Sequence, residues 1–284
     1  MDNKAIIEKH PCFSESAHTC FARVHLAVAP MCNIACRFCI RSLNKSENRP
    51  GVATRILASK DAVTVVERAM EKFPVSVVGI AGPGDPLFNP ATFETFELID
   101  KKFPALLKCL STNGLLLKDR LEELKRINLS TLTVTVNAMT AKTAARIYDF
   151  ISVDGKTYRG EKAGAIMVDR QKEGITAALG YGIPVKINTV FVPKINAKEI
   201  PAIAKHYGRR GANIMNIMPL IPINKMAGYR PPNDLELEEM RSRCEQYLPQ
   251  FRSCKQCRAD AVGIPAFEKK CAPGATNSTD YFHF

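Results

Sequence analysis

The chain alternates short β-type runs with longer amphipathic stretches, and this alternation limits the folds that are open to it. The pattern predicts strands at 24–29, 75–81, 106–111, 132–137, 185–190 and 214–219. It predicts helices at 60–73, 90–102, 119–127, 161–181 and 197–207, with Ser59 as the N-cap of the first. Strand–helix repeats of this kind build parallel sheets. Six units are too few for a closed eight-stranded barrel, so we expect an α/β fold with an open, partial (β/α)6 TIM-like barrel.

The predicted strands carry small or polar residues on one face. In "TLTVTVNA" the threonines and Asn137 share one face, and the leucine and valines share the other. In "LKCLSTNG" Cys109 and Asn113 share a face, and His25 lies on the small-residue face of the first strand. A packed barrel interior would hold Val, Ile and Leu instead. We therefore expect a chamber inside the sheet; an ordinary amphipathic sheet with one solvated face is the alternative.

Composition limits the function classes. The chain has 284 residues, 46% of them apolar, and ten cysteines. Its start is charged and does not resemble an export signal, and no apolar run has the roughly 20 residues of a membrane helix. These features predict a cytoplasmic protein whose cysteines bind metal and do not form disulfides. The net charge of +12 comes from scattered basic residues without a nucleic-acid-binding motif, which favours anionic small ligands, clusters or an acidic partner.

Three cysteines follow the first strand in "APMCNIACRFCIRS", at Cys32, Cys36 and Cys39. A closed structural metal site uses four protein ligands, so three leave one position open for a substrate or cofactor. Thiolates favour iron–sulfur clusters; a zinc site with three cysteine ligands is the alternative. The C-x3-C-x2-C spacing resembles the signature of the radical S-adenosylmethionine (SAM) superfamily. In that family three cysteines hold a [4Fe–4S] cluster whose fourth iron binds the amino and carboxylate groups of SAM.

This resemblance implies further SAM contacts. Phe38 occupies the aromatic position near the adenine. The loop "AGPGDP" departs from the commoner Gly-Gly-Glu form, but it follows the second strand, where an acid would offset the methionine ammonium charge. Asparagines at strand ends would contact the ribose and carboxylate, although each is a weak signal alone. The implied SAM-binding residues are Phe38, Gly82, Gly84, Asp85, Asn113, Asn137 and Asn188.

Seven cysteines remain outside the C-x3-C-x2-C motif. Two further [4Fe–4S] clusters with cysteine ligands alone would need eight thiolates. Such clusters would therefore use non-cysteine ligands or keep open irons, which suits a substrate that must leave. Cys254 and Cys257 form a C-x2-C pair, and His25 would point a nitrogen ligand into the chamber.

A closer resemblance rests on "HPCFSESAH", "GIAGPGDPL" and "CKQCRADAVG", and it runs from about His10 to Gly263. The chain is similar to the radical SAM maturases of the nitrogenase iron–molybdenum cofactor. These enzymes fuse two [4Fe–4S] clusters into an eight-iron, nine-sulfur cluster with a central carbide. One SAM donates a methyl group, and the 5′-deoxyadenosyl radical from a second SAM removes hydrogen from it. The ligands implied for the precursor clusters are Cys12, His25, Cys109, Cys254 and Cys257, with Glu47 as a weaker oxygen ligand.

The resemblance also implies an organisation and partners. We expect an N-terminal cluster-binding extension (1–23), a radical SAM partial barrel (24–222), and a C-terminal extension with the C-x2-C loop and a flexible tail (223–284). The reaction implies an iron–sulfur cluster donor, an electron donor, and a scaffold or carrier protein that takes the product. Two alternatives remain: a radical SAM enzyme with auxiliary clusters that modifies a peptide or small molecule, and a non-enzymatic cluster scaffold or electron carrier. No role is assigned to Cys20, and we expect Cys244 to be an ordinary buried thiol and Cys271 a cysteine of the tail.

Overall fold

A curved sheet of seven strands forms the main body of the protein; the computed structural model describes residues 2–266, and Cys271 and the predicted tail lie outside this range. The sheet order is β11-β10-β7-β6-β5-β1-β12, with six parallel strands and the antiparallel β12 at one edge. The described strands are β1 (Ala22–His25), β2 (Ile34–Cys36), β3 (Ser42–Leu43), β4 (Val52–Ala53), β5 (Val75–Ile80), β6 (Leu107–Thr112), β7 (Thr131–Thr135), β8 (Tyr148–Val153), β9 (Lys156–Tyr158), β10 (Val185–Phe191), β11 (Ile214–Pro219) and β12 (Val262–Gly263).

Helices follow the parallel strands, as the alternation predicts, and the open partial barrel is confirmed. The expected N-cap at Ser59 is wrong, because Ser59 is the first helical residue and its hydroxyl donates to Glu94. The described helices are α1 (Asn3–Glu8), α2 (Glu15–Cys20), α3 (Ser59–Met70), α4 (Pro90–Lys102), α5 (Leu121–Arg126), α6 (Ala141–Ile147), α7 (Gly160–Gly180), α8 (Pro193–Asn196), α9 (Ile200–Gly208) and α10 (Asp234–Glu245).

The two faces of the main sheet differ, as the strand pattern predicts. Bulky apolar residues on the outer face, such as Leu110 and Leu132, are fully buried in one core with residues from the surrounding helices. At the lower end of the inner face, Ile6 of α1 packs on Val77 and Leu107. The N-terminal segment therefore closes the bottom of the barrel, while the inner face above it stays open.

A second, small sheet holds the cysteine loop (residues 32–39), and the strand pattern did not predict it. Strand β2, which ends at Cys36, pairs antiparallel with β8, and β8 pairs with β9. The β8–β9 hairpin turns at Asp154 and Gly155, which both have positive φ. Asp-Gly between two β-type runs is a strong hairpin signal. The cysteine loop is thus part of a three-stranded sheet.

The first predicted strand is shorter than expected. The ladder between β1 and β5 ends at His25, opposite Gly79, and beyond it Ala29 forms only an isolated bridge with Pro83. The chain leaves the sheet at this point to enter the cysteine loop. None of the helices in the described range is long and apolar enough to span a membrane.

Candidate functional site

A cavity of about 460 Å³, hereafter the chamber, lies inside the curved sheet. Its wall includes the polar inner face that the strand pattern predicts, with Ser111, Thr133 and Thr135 among the lining residues. The chamber brings together side chains that lie far apart in the sequence. The predicted site residues that line it are Cys12, His25, Cys32, Cys36, Phe38, Cys39, Gly84, Asp85, Cys109, Asn113, Asn137, Asn188, Cys254 and Cys257.

The cysteine loop presents three thiols to the chamber. Burial, followed by the neighbouring thiols of Cys39 and Cys32, raises the pKa of Cys36 well above its usual value. Burial, followed by Asp85, raises the pKa of Cys32 to about 11. Such thiols stay protonated at neutral pH and ionise only against a cationic partner such as iron. The loop therefore fits a metal group whose positively charged ions can each bind one of its thiolates.

The placement of the three thiols is compatible with one iron–sulfur cluster. Cys32, Cys36 and Cys39 all line the chamber. In a [4Fe–4S] cluster each cysteine binds a different iron, so the three sulfurs need not converge on one point. The role of these residues as cluster ligands stays a prediction.

The Gly-rich loop (residues 81–86) forms backbone hydrogen bonds with the segment that leads into the cysteine loop. The Gly84 amide donates to the Ala29 carbonyl at 2.6 Å, and the Asp85 amide donates to the Met31 carbonyl at 2.8 Å. A Cβ atom on Gly84 would overlap the Met31 carbonyl. Only glycine therefore allows the two loops to lie this close.

The carboxylate of Asp85 organises the strand end beside it. It accepts hydrogen bonds from the Thr112 hydroxyl and from the amides of Leu87 and Asn113. Burial raises its pKa to about 6, against the lowering effect of these donors. The side chain is 3% exposed and lies at the chamber wall. Besides the predicted contact with the SAM ammonium group, Asp85 thus has a structural role in fixing Asn113.

The three asparagines lie at the chamber wall, but their amides also bond within the protein. Asn113 donates to Asn33 at 2.7 Å, and its Nδ2 lies 4.0 Å from the sulfur of Cys32. Asn137 accepts from the Val190 amide, and Asn188 accepts from Asn216. Their contacts with SAM stay predictions, as does that of Phe38, which packs at the edge of the apolar cluster behind the cysteine loop.

Replacing Gly84 with alanine tests the contact between the two loops. The added methyl group must push the Gly-rich loop away from Met31, because backbone atoms cannot rotate aside. Overpacking of this kind costs about 1–3 kcal/mol. We expect a lower unfolding temperature and a SAM dissociation constant, measured by equilibrium dialysis, that rises at least roughly tenfold. Gly180→Ala is the control, since a Cβ there meets nothing within 4 Å; equal SAM affinity in both variants would contradict the prediction.

The second ligand group comprises Cys12, His25, Cys109, Cys254 and Cys257, and His25 has the clearest geometry. Its Nδ1 lies 3.1 Å from the Arg258 carbonyl oxygen, which can only accept, so Nδ1 carries the proton. This leaves the lone pair of Nε2 for a ligand, as in metal-binding histidines. Burial, followed by Arg23, lowers the pKa of His25 to about 4, so the ring is neutral at pH 7. Gly79 leaves room for the ring, since a Cβ there would lie 3.1 Å from its Cδ2.

The cysteines of the second ligand group reach the chamber from three parts of the chain. Cys12 follows α1, and its amide donates to His10 Nδ1 at 3.0 Å. Cys109 lies on the inner face of β6. Cys254 and Cys257 come from the C-terminal segment, which continues into β12 at the sheet edge. The N- and C-terminal segments thus both place side chains beside the partial barrel, although the predicted domain boundaries stay untested.

Four predicted or noted positions do not line the chamber. The Glu47 carboxylate accepts from Ser42, Asn44 and Arg49, and its role as an oxygen ligand stays a prediction without support from its position. Gly82 lies behind the wall, near Ala259. Cys244 is fully buried in the core, which confirms its reading as a buried thiol. Cys20 lies beside Thr19, outside the chamber.

Sequence reasoning missed several residues of the chamber wall. Tyr148 enters from β8, where the Asp-Gly hairpin signal would have indicated a strand. Arg41 and Arg49 line the chamber near the cysteine loop, and Lys186 lines it on β10. A lysine between Val185 and Ile187 breaks the apolar run of a buried strand, and this interruption was a usable signal.

The C-terminal motif Arg258-Ala-Asp260 acts as a clamp. Arg258 is 2% exposed, and its guanidinium donates to the carbonyls of Asn44 and Glu47 and to the Asp260 carboxylate. Asp260 in turn accepts from the Thr54 amide. The clamp holds the segment with Cys254 and Cys257 against residues 44–54. The backbone carbonyl of Arg258 also orients His25.

Known proteins resemble the chain over most of its length. The radical SAM superfamily profile matches residues 26–207. The FeMo cofactor biosynthesis protein NifB of Methanocaldococcus infernus is 47% identical over 262 residues, covering 91% of this chain and 86% of that protein. The protein of the same name from Klebsiella pneumoniae is 44% identical over 264 residues, covering 90% of this chain and 56% of that protein.

Among solved structures, a radical SAM methyltransferase from Sphaerobacter thermophilus is 17% identical and aligns with a TM-score of 0.55. The alignment covers 81% of this chain and 64% of that chain, and it supports the fold alone. The relatives that are 47% and 44% identical show, beyond the fold, the family to which the chain belongs. The chain belongs to the NifB family of FeMo cofactor biosynthesis proteins, which are radical SAM enzymes that require a [4Fe–4S] cluster and SAM.

Proposed function

We propose that the protein fuses two [4Fe–4S] clusters, with a SAM-derived carbide and one extra sulfur, into the eight-iron, nine-sulfur precursor of the nitrogenase cofactor. The two clusters are its substrates, and a separate [4Fe–4S] cluster on the cysteine loop is its resident cofactor. The resident cluster and SAM supply, when bound, a methyl group from one SAM and a hydrogen-abstracting 5′-deoxyadenosyl radical from a second. The reaction needs an electron donor, a cluster donor and a protein that accepts the product.

One observation carries the proposal: the second ligand group and the cysteine loop line the same chamber. A methyl group placed on a precursor at one end would lie within the space that also receives SAM at the other. Four cysteines and one histidine are too few to saturate two clusters. Open irons at this group suit substrates that must rearrange and leave, whereas a permanent electron-transfer cluster is normally held by four ligands.

The chain's own residues contribute placement and shielding. His25 offers a neutral nitrogen whose direction is fixed by the Arg258 carbonyl. Asp85 and Asn113 fix the strand end beside Cys32. The clamp at Arg258 keeps the Cys254–Cys257 segment over the sheet edge. These contacts fix the positions of side chains in both ligand groups, and hydrogen abstraction depends on such placement.

Deuterated SAM gives the most direct test. Anaerobically reconstituted, reduced protein is mixed with SAM that carries a CD3 methyl group, and the small molecules are analysed by mass spectrometry. We expect S-adenosylhomocysteine together with deuterium in 5′-deoxyadenosine, because the radical attacks a methyl group that the protein has itself transferred. Unlabelled 5′-deoxyadenosine without S-adenosylhomocysteine would indicate an enzyme for a peptide or small molecule. No SAM cleavage by cluster-loaded protein would indicate a scaffold or electron carrier.

A further inference from the structure

A buried lysine lies at the end of the chamber that holds the second ligand group. Lys186, on the inner face of β10, is 5% exposed, and its ammonium group donates to the Cys12 carbonyl at 3.0 Å. The same group lies 5.3 and 5.4 Å from the ring centres of Phe13 and Phe251. Within residues 2–266 no carboxylate forms an ion pair with it. One neutral carbonyl and two aromatic faces compensate a buried cation only in part.

A second cation contacts a cysteine of the same group. Arg23, on β1, is 2% exposed, and its Nη2 lies 3.0 Å from the sulfur of Cys257. Its Nη1 donates to the Gly263 carbonyl, which fixes the direction of the guanidinium. An arginine donor aimed at a cysteine sulfur strengthens when that sulfur is a thiolate, because charge-assisted hydrogen bonds are about twice as strong as neutral ones.

The two cations approach the same ligand group. Lys186 donates to the backbone of Cys12 and lines the chamber together with Cys12 and Cys109, and Arg23 contacts the sulfur of Cys257. Near the cysteine loop the chamber wall carries both signs of charge, from Asp85, Arg41 and Arg49. At the second ligand group the cations Lys186 and Arg23 contact Cys12 and Cys257 directly.

We propose that Lys186 and Arg23 form a buried cation pair that retains the anionic precursor cluster at the second ligand group and sets its reduction potential. The inference rests on the proposed function, in which such clusters are bound there. The ammonium group of Lys186 offsets the negative charge of the cluster from the chamber wall. Arg23 donates a hydrogen bond to the Cys257 thiolate. Both are positioning residues and not cluster ligands. Hydrogen bonds to cluster sulfurs and nearby charge are among the factors that tune cluster potentials.

The test compares Lys186→Met, Lys186→Arg and Arg23→Gln with the unaltered protein, each reconstituted with iron and sulfide. Lys108→Met is the matched control, since Lys108 is 3% exposed on the outer face of β6, a strand of the same sheet, and pairs with Asp100. Iron loss to a chelator is followed by absorbance, with SAM present. The EPR signal that responds to SAM reports the resident cluster, and EPR-monitored redox titration reports the potentials of the others.

In Lys186→Met we expect iron loss from the precursor clusters to be roughly thirty-fold faster, because removing one member of a buried charge pair acts mainly on dissociation. Their midpoint potential becomes more negative, while the SAM-responsive signal and the Lys108→Met control are unchanged. Lys186→Arg restores retention, and Arg23→Gln changes potential and retention in the same direction as Lys186→Met. If Lys186→Met does not fold, Arg23→Gln and Lys186→Arg still test the proposal, because each is measured independently.

Three outcomes count against the proposal, and they are distinguishable. In the first, the unaltered protein holds extra clusters while Lys186→Met and Arg23→Gln show its rate of iron loss and its midpoint potentials. In that case the inference fails and the proposed function stands. If the unaltered protein binds only the SAM-responsive cluster, both fail together. Retention that falls equally in Lys186→Met and Lys108→Met would also overturn the inference, because a general loss of stability would then explain it.

Discussion

Replacement of Cys36 by alanine lowers 5′-deoxyadenosine formation from SAM to the level seen without protein. Cys36 is one of three thiols on the cysteine loop, and the resident cluster has no fourth cysteine there to take its place. The loop itself persists, because its pairing with β8 is made by backbone groups. The effect is therefore a loss of the cluster and not of the fold. We expect an unfolding temperature of the cluster-free variant close to that of the cluster-free original chain.

Cys20→Ala and Cys244→Ala are the controls for this experiment. Cys20 does not line the chamber, and Cys244 is buried in the outer core, so removal of either thiol leaves the three loop cysteines intact. Iron, sulfide and 5′-deoxyadenosine are measured for all three variants under the same reconstitution. Cys36→Ala protein that still cleaves SAM at a rate like that of the controls would refute the assignment of the loop as the SAM-cluster site.

The alternation of strands and helices was sufficient to predict the main sheet, because each parallel strand needs a helix to return the chain. Strand β11 and helix α4 have the predicted bounds. The strand β12 was not predictable in this way, since its two residues carry no periodic signal and pair with β1 only through the tertiary fold. The β8–β9 hairpin was missed although Asp154 and Gly155 indicated it, because a short antiparallel hairpin stands outside the strand–helix alternation.

The part of the site that lies on one short loop was predictable from the sequence. Ligand-type residues with close spacing, such as Cys32, Cys36 and Cys39, are visible in the sequence because one loop must present them. The position of Glu47 was not predictable, since its carboxylate is bonded within its own loop and the loop's orientation depends on Arg258. Arg23 was missed for the opposite reason, because a single buried cation on a strand acquires meaning only when the fold places it beside Cys257. At Lys186 the broken apolar run indicated an unusual position, but its contact with Cys12 follows only from the fold.

His25→Ala separates the two halves of the proposed reaction. The variant keeps all three thiols of the cysteine loop, so we expect the reconstituted, reduced variant still to cleave SAM to 5′-deoxyadenosine. It loses the only nitrogen ligand of the second ligand group. Since removing even an outer-shell partner of a metal ligand lowers affinity roughly tenfold to a hundredfold, we expect at least a tenfold drop in S-adenosylhomocysteine and in deuterium transfer from CD3-SAM.

The control is His206→Ala, because His206 lies on the outer helix α9 and bonds to Arg210, away from the chamber. His25→Asn keeps a nitrogen-bearing, neutral side chain but cannot offer the imidazole lone pair, so it should behave as His25→Ala does. Deuterium transfer at the original level in both His25 variants would show that the nitrogen does not hold a precursor. Loss of SAM cleavage in both His25 variants would instead show that the ring supports the fold around the cysteine loop through its contact with the Arg258 carbonyl.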